Sequence, residues 1–155
     1  MRIERYLGLS AAANPGKTAL ITDRRRLRYG ELDDLSDRLA NALAENGVRR
    51  DDRVLVFMDN CWEVAVSIFA VLKAGAVFCL VNASTKADKL AYIVANSGAA
   101  AVLTQARLMP VVSSTLTGRD GVFVACAHGP DEQAPPGAVS LAQCLANEAR
   151  PPAHG

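Results

Sequence analysis

Val54-Leu55-Val56-Phe57-Met58 is an unbroken apolar run of strand length. No polar residue alternates through it, so as a strand it has to be covered on both faces, the habit of a parallel sheet. The same element returns downstream, where Val77 to Val81, Ala100 to Leu103 and Val122 to Ala125 read as further strands. Helical stretches separate them: Trp62 to Ala74, Lys86 to Asn96 stopped by Gly98, and most of Gln105 to Leu116. Strand starts about one βα unit apart imply right-handed crossovers. The expected class is α/β, with a doubly wound, mostly parallel sheet and helices on both faces.

Upstream, Ile3 to Ala13 reads as a short helix ended by Asn14-Pro15-Gly16. Thr18 to Thr22 and Leu27-Arg28-Tyr29 flank the turn Asp23-Arg24-Arg25-Arg26, a strand and its return. That arginine run lies among Asp23, Glu31, Asp33 and Asp34, so it reads as a solvated turn and not as a polyanion site. From Gly30 to Glu45, Leu32, Leu35, Leu39 and Leu43 recur at three- and four-residue steps, which makes one leucine stripe on a helix stopped by Asn46-Gly47. Downstream of Ala125 the pattern fades. Gly129-Pro130 and Pro135-Pro136-Gly137 bracket an acidic loop, Val139 to Ala149 reads as a last helix, and residues 150–155 as a linker. The organisation is therefore an α/β subdomain over residues 1–128, then loop, short helix and linker over 129–155.

The chain has 155 residues, half of them hydrophobic, enough apolar surface for a packed core in one domain or part of one. Lys and Arg number 17 against 16 Asp and Glu, and aromatics make up only 5%, so neither charge nor stacking surface suggests a nucleic-acid or anionic-membrane partner. Val64 to Thr85 is long enough to span a bilayer, but it carries Lys73 near its middle, at a cost of roughly 2.5–3.5 kcal/mol, followed by Ala74-Gly75. Helix, glycine stop and strand is the better reading. Cys61, Cys79, Cys126 and Cys144 are far apart and set among apolar residues, which suits reduced thiols in the cytoplasm better than a metal or redox motif. The charged start, Met1 to Tyr6, has no apolar run behind it and does not read as a secretory signal.

Catalytic motifs are missing: no glycine-rich nucleotide loop, no metalloprotease helix, no nucleophile elbow. Asp59, Asn60, Asn82 and Ser84 stand at the carboxyl ends of expected strands, where open α/β sheets bind ligands. Capping of the following helices accounts for them equally simply and is the favoured role. His128 in its Gly/Pro loop and His154 in the tail read as bystanders.

Two stretches point further. Thr18-Ala19-Leu20-Ile21, then Leu27-Arg28-Tyr29-Gly30-Glu31-Leu32 and Ser36 to Leu43, resemble the opening of the AMP-forming acyl-adenylate enzymes. Asn60-Cys61-Trp62-Glu63 running into Ala70-Val71-Leu72-Lys73-Ala74-Gly75-Ala76-Val77-Phe78 is similar to a second signature of that family, at matching spacing. Lys86-Ala87-Asp88-Lys89-Leu90 resembles the acyl-CoA ligase branch more than the amino-acid-activating domains of peptide synthetases. The resemblance covers roughly residues 5 to 125. Cys79-Leu80-Val81-Asn82-Ala83 departs from it, since the family often has a proline there.

The resemblance implies a two-step ligase. A carboxylic acid, fatty or other organic, reacts with ATP to give acyl-AMP and pyrophosphate; a thiol, coenzyme A or a carrier pantetheine, then takes the acyl group. ATP, Mg2+ and CoA are the implied cofactors of the whole enzyme. Its phosphate loop, metal-binding glutamate, ribose-binding aspartate and catalytic lysine match no position here, so no catalytic, cofactor-binding or metal residue is carried over. The expectation is an N-terminal fragment of a bacterial, cytoplasmic ligase, inactive alone and with no cofactor bound. Its partners would be the remainder of the ligase chain and, for the isolated piece, a second copy in a homodimer. The alternatives are a non-enzymatic α/β interaction module and an unrelated doubly wound nucleotide-binding domain.

Overall fold

The structure, a computed structural model, describes residues 2–147. Five parallel strands form the main sheet: β3 (Arg53–Phe57), β4 (Val77–Val81), β5 (Ala101–Gln105), β6 (Phe123–Ala127) and β7 (Val139–Ser140), in the order β4-β3-β5-β6-β7. Ahead of it lie α1 (Ile3–Ala13) and an antiparallel hairpin, β1 (Thr18–Ile21) with β2 (Arg26–Arg28). The helices α2 (Tyr29–Glu45), α3 (Trp62–Lys73) and α6 (Leu141–Leu145) share one face of the sheet, and α4 (Ala87–Ser97) and α5 (Met109–Leu116) the other. The doubly wound parallel sheet read from the sequence is thus the fold observed.

β3 shows why. Val54 and Val56 pack into the core under α2 and α3, while Leu55 and Phe57 pack into the second core under α4 and α5. None of the four keeps more than 2% of its surface. In α2, Leu32, Leu39 and Leu43 are buried as the stripe requires, and Ser36, Ala40 and Ala42 widen the buried face because α1, α3 and α6 all lean on this helix. Gly75 ends α3 with φ of 75°, a left-handed turn only glycine takes without strain, and its carbonyl receives the Asp51 N–H at 3.0 Å.

The Val64 to Thr85 stretch is broken, as expected, into α3, a glycine turn and β4. Lys73 inside it is buried but fully paired: Nζ donates to Asp33 Oδ1 (2.6 Å), the Asp33 carbonyl (2.9 Å) and Asp37 Oδ1 (2.7 Å), using all three of its hydrogens to tie α3 to α2. Among the described residues no helix is long and apolar enough to cross a membrane. Arg25 of the arginine turn sits over the Trp62 ring at 4.5 Å and pairs with Glu31 at 3.7 Å, consistent with a locally satisfied turn.

Two elements depart furthest from the sequence reading. The helix expected from Gln105 starts later: Gln105 ends β5, a 3-10 turn covers Ala106–Leu108, and α5 begins at Met109, with Pro110 in the first turn, where its missing N–H does no harm. The helix expected over Val139 to Ala149 is instead β7 followed by α6. Val139 and Ser140 pair with Ala125 and Cys126 of β6. Ser140 then caps α6, its Oγ accepting the Gln143 N–H at 3.4 Å. The segment after His128 therefore adds a strand and a helix to the same sheet and core, with Leu141 and Cys144 buried. Residues 148–149 of that expected helix, the 150–155 linker and His154 lie outside the described residues.

Candidate functional site at the carboxyl edge of the sheet

The chain winds from β3 outward to β4, then returns across β3 to β5 and continues away through β6 and β7. The loops after β3 and β5 consequently lead to helices on opposite faces. In an open parallel sheet the crevice between two such loops is where ligands bind.

Asp59 stands at that crevice, and it does not cap α3. The capping position of α3 is Cys61 and that of α4 is Lys86, neither with a side-chain cap bond. The carboxylate of Asp59 instead bridges to β5 and the turn after it. Arg107 Nη2 donates to both Asp59 oxygens (2.8 and 2.7 Å), and Gln105 Nε2 donates to Oδ2 at 2.6 Å. The Asp59 N–H returns a bond to Gln105 Oε1 at 3.0 Å. The Arg107 and Gln105 bonds hold the Asp59 carboxyl below the usual carboxylate range. This pairing across nearly fifty residues of sequence ties the loop after β3 to the turn after β5 through a neutral, bidentate cluster. Gln105 and Arg107 are the members that sequence reading missed, because the former looked like a helix start and the latter carried no motif.

Asn82 and Ser84 do not cap α4 either. Asn82 Oδ1 accepts the Ser84 N–H (2.9 Å) and Oγ–H (2.8 Å), which folds the loop after β4 on itself. Between the loops after β3 and β4 lies a cleft of about 330 Å3, floored by Val56, Val64 and Leu80 and rimmed by Asp59, Asn60 and Asn82. The structure thus gathers Asp59, Asn60 and Asn82 at one cleft.

Among the described residues that line this cleft there is no histidine, cysteine or lysine. His128 Nδ1 lies 2.8 Å from the Gly129 carbonyl, which only accepts, so Nδ1 carries the hydrogen and Nε2 accepts from Ser140 Oγ at 2.7 Å. His128 is therefore a tie between the ends of β6 and β7, with a buried serine for partner. Burial pushes the Cys61 and Cys126 thiols up to about 11 and raises Cys144 as well, so these three stay protonated at neutral pH. Among the described residues no group of three His, Cys, Asp or Glu is placed to hold a metal ion. The described residues therefore do not fit a Mg2+ site.

Residues 8–151 match the AMP-binding enzyme family. The chain is 37% identical over 129 residues to phosphinothricin tripeptide synthetase PhsC of Streptomyces viridochromogenes, covering 80% of this chain and 12% of that one. It is 32% identical over 104 residues to a medium/long-chain-fatty-acid CoA ligase of Mycolicibacterium smegmatis, covering 67% of this chain and 19% of that protein. Among solved structures, a benzoate CoA ligase from Burkholderia xenovorans superposes on the whole chain with a TM-score of 0.86 and 26% identity, and the match takes up 30% of that ligase. The chain thus spans a fifth or less of the two curated relatives. Peptide synthetases and CoA ligases both lie among its relatives, so sequence likeness does not separate the two branches as the Lys86 to Leu90 stretch suggested. With its order of motifs, its sheet and this match in agreement, the chain belongs to the AMP-binding enzyme family.

Proposed function

We propose that the chain is the N-terminal part of an AMP-forming ligase that activates a fatty, aryl or other organic acid and passes it to a thiol of CoA or of a carrier pantetheine. The observation that carries this reading is the family match over residues 8–151 combined with superposition of the whole chain on under a third of a CoA ligase. In the first step a carboxylate oxygen bonds to the α-phosphorus of ATP and pyrophosphate leaves. In the second the thiol bonds to the acyl carbon and AMP leaves. Mg2+ would neutralise charge on the phosphates. The chain's own contribution is the rigid parallel sheet and the rim of the cleft after β3 and β4. The described residues include no group placed to hold the metal, and by itself the chain is inactive. The cytoplasm, where ATP and CoA are at hand, is the compartment that suits this chemistry.

Carboxylate-dependent exchange of pyrophosphate into ATP tests the proposal. The purified 155-residue chain is expected to show none with fatty, aryl or amino acids. The chain expressed together with the sequence that follows Gly155 in its gene is expected to show exchange. Exchange by the 155 residues alone overturns the first expectation. A stop codon directly after Gly155 favours the non-enzymatic module. The 37% identity to a peptide synthetase supports an amino acid as the second candidate substrate class, and the same acid panel decides between the classes.

A further inference from the structure

Among the described residues the main sheet has two edges, and they are unlike. β7 offers two residues, whereas β4 offers five. The Val77 N–H donates to the Asp52 carbonyl at 2.8 Å, so the alternation of a strand turns the N–H and C=O of Phe78 and Leu80 away from β3, to the open side. Natural proteins blunt such an edge with charge, proline or a bulge. β4 (Val77-Phe78-Cys79-Leu80-Val81) has none of them: its register against β3 runs unbroken from Val77 to Val81. Leu80 keeps 58% of its surface exposed and Val77 45%.

The strand also reads nearly the same in both directions. Antiparallel pairing about a two-fold axis at Cys79 sets Val77 opposite Val81, Phe78 opposite Leu80 and Cys79 opposite Cys79, so each apolar side chain meets another and no charge faces one. In that register Phe78 and Leu80 form the hydrogen-bonded pairs, and they are the residues whose backbone groups point outward. Cys79 forms the close, non-hydrogen-bonded pair, and its backbone groups turn toward β3. Backbone direction admits this register, and among the registers it admits this one pairs all five residues of the strand. From this we infer that β4 pairs with β4 of a second copy of this chain, antiparallel and centred on Cys79, so that two five-stranded sheets become one.

Sedimentation equilibrium over a concentration series, with thiol cross-linking, tests the pairing. The wild-type mass is expected at twice 16.4 kDa. Diamide, a two-electron oxidant of thiols, is expected to join the copies through Cys79, since a non-hydrogen-bonded antiparallel pair brings Cα atoms to about 4.5 Å, within disulfide range. The cross-link is lost in Cys79→Ser and kept in Cys61→Ser. Leu80→Lys, at an exposed position, keeps the wild-type circular dichroism but raises the dimer dissociation constant at least ten-fold. Ile21→Lys, on the exposed edge of the hairpin, leaves it unchanged. A mass that stays at 16.4 kDa at the highest concentration, a dimer indifferent to Leu80→Lys, or a cross-link that runs through Cys61 overturns the proposal.

Discussion

Lys73 is a buried cation held between two carboxylates of α2. Its side chain keeps 8% of its surface, and its two carboxylate partners keep 28% and 22%. Burial raises the Asp37 carboxyl above its ordinary value; the Lys73 hydrogen bond and charge pull it down, and Asp33 and Asp34 push it up again. A carboxyl raised in the folded state lends stability that is complete below the unfolded value of 3.8 and is lost as pH climbs through the folded value. Removing Lys73 takes away the lowering influence and leaves two carboxylates side by side. Lys73→Ala is therefore expected to destabilise the fold by about 2–4 kcal/mol at pH 7, at the lower end for a broken buried pair because the aspartates are partly solvated. The deficit should shrink as Asp37 takes up a proton. Urea unfolding of both proteins at pH 7 and pH 4.5 checks this, and a gap that stays constant shows that lost packing, not charge, is responsible.

At the scale of elements, the junction of β7 and α6 depends on one hydroxyl. Ser140 Oγ–H donates to His128 while the same oxygen accepts the Gln143 N–H, so it caps a helix and ties two strand ends together. Ser140→Ala removes both bonds from a buried position and is expected to cost about 1–2 kcal/mol, read as a lower thermal midpoint, with Ser140→Thr closer to wild type. The strands and helices of the sheet were legible because their burial repeats in sequence: the all-apolar run of β3 and the leucine steps of α2 record the cores on which they pack. The start of α6 was written as well, with Ser140 three residues before Gln143 at capping-box spacing, but the apolar run from Val139 masked it. The Asp59 cluster was not legible. Its three members are joined only because β3 and β5 lie side by side, and no local pattern relates an aspartate to an arginine that far along the chain. Exposure is not legible for a similar reason. α3 is apolar on most sides, yet none of its residues is exposed, whereas Leu80 and Val77, within an equally apolar run, fall on an edge strand.

On the scale of the whole molecule, the two faces of the sheet hold separate cores, and each contains one buried thiol. Cys144 belongs to the core under α2 and α3, Cys126 to that under α4 and α5. Both are shielded and protonated, so alkylation by iodoacetamide at neutral pH should be slow in the native protein and should report opening of each face separately. Because β3 lends side chains to both cores, the two thiols are expected to become reactive at the same urea concentration; two distinct midpoints show that the faces unfold independently. The place of β3 between β4 and β5 also sets an order of events during synthesis. Arg53 to Phe57 pair with Val77 to Val81 on one side, but Val54 to Phe57 find their other neighbours only in Ala101 to Thr104. At about 5–20 residues per second on the ribosome, β3 waits roughly 2–10 s with one side uncovered. That interval, and not the finished fold, is where this chain is most exposed to chaperone capture or to aggregation, and slower translation between β4 and β5 lengthens it.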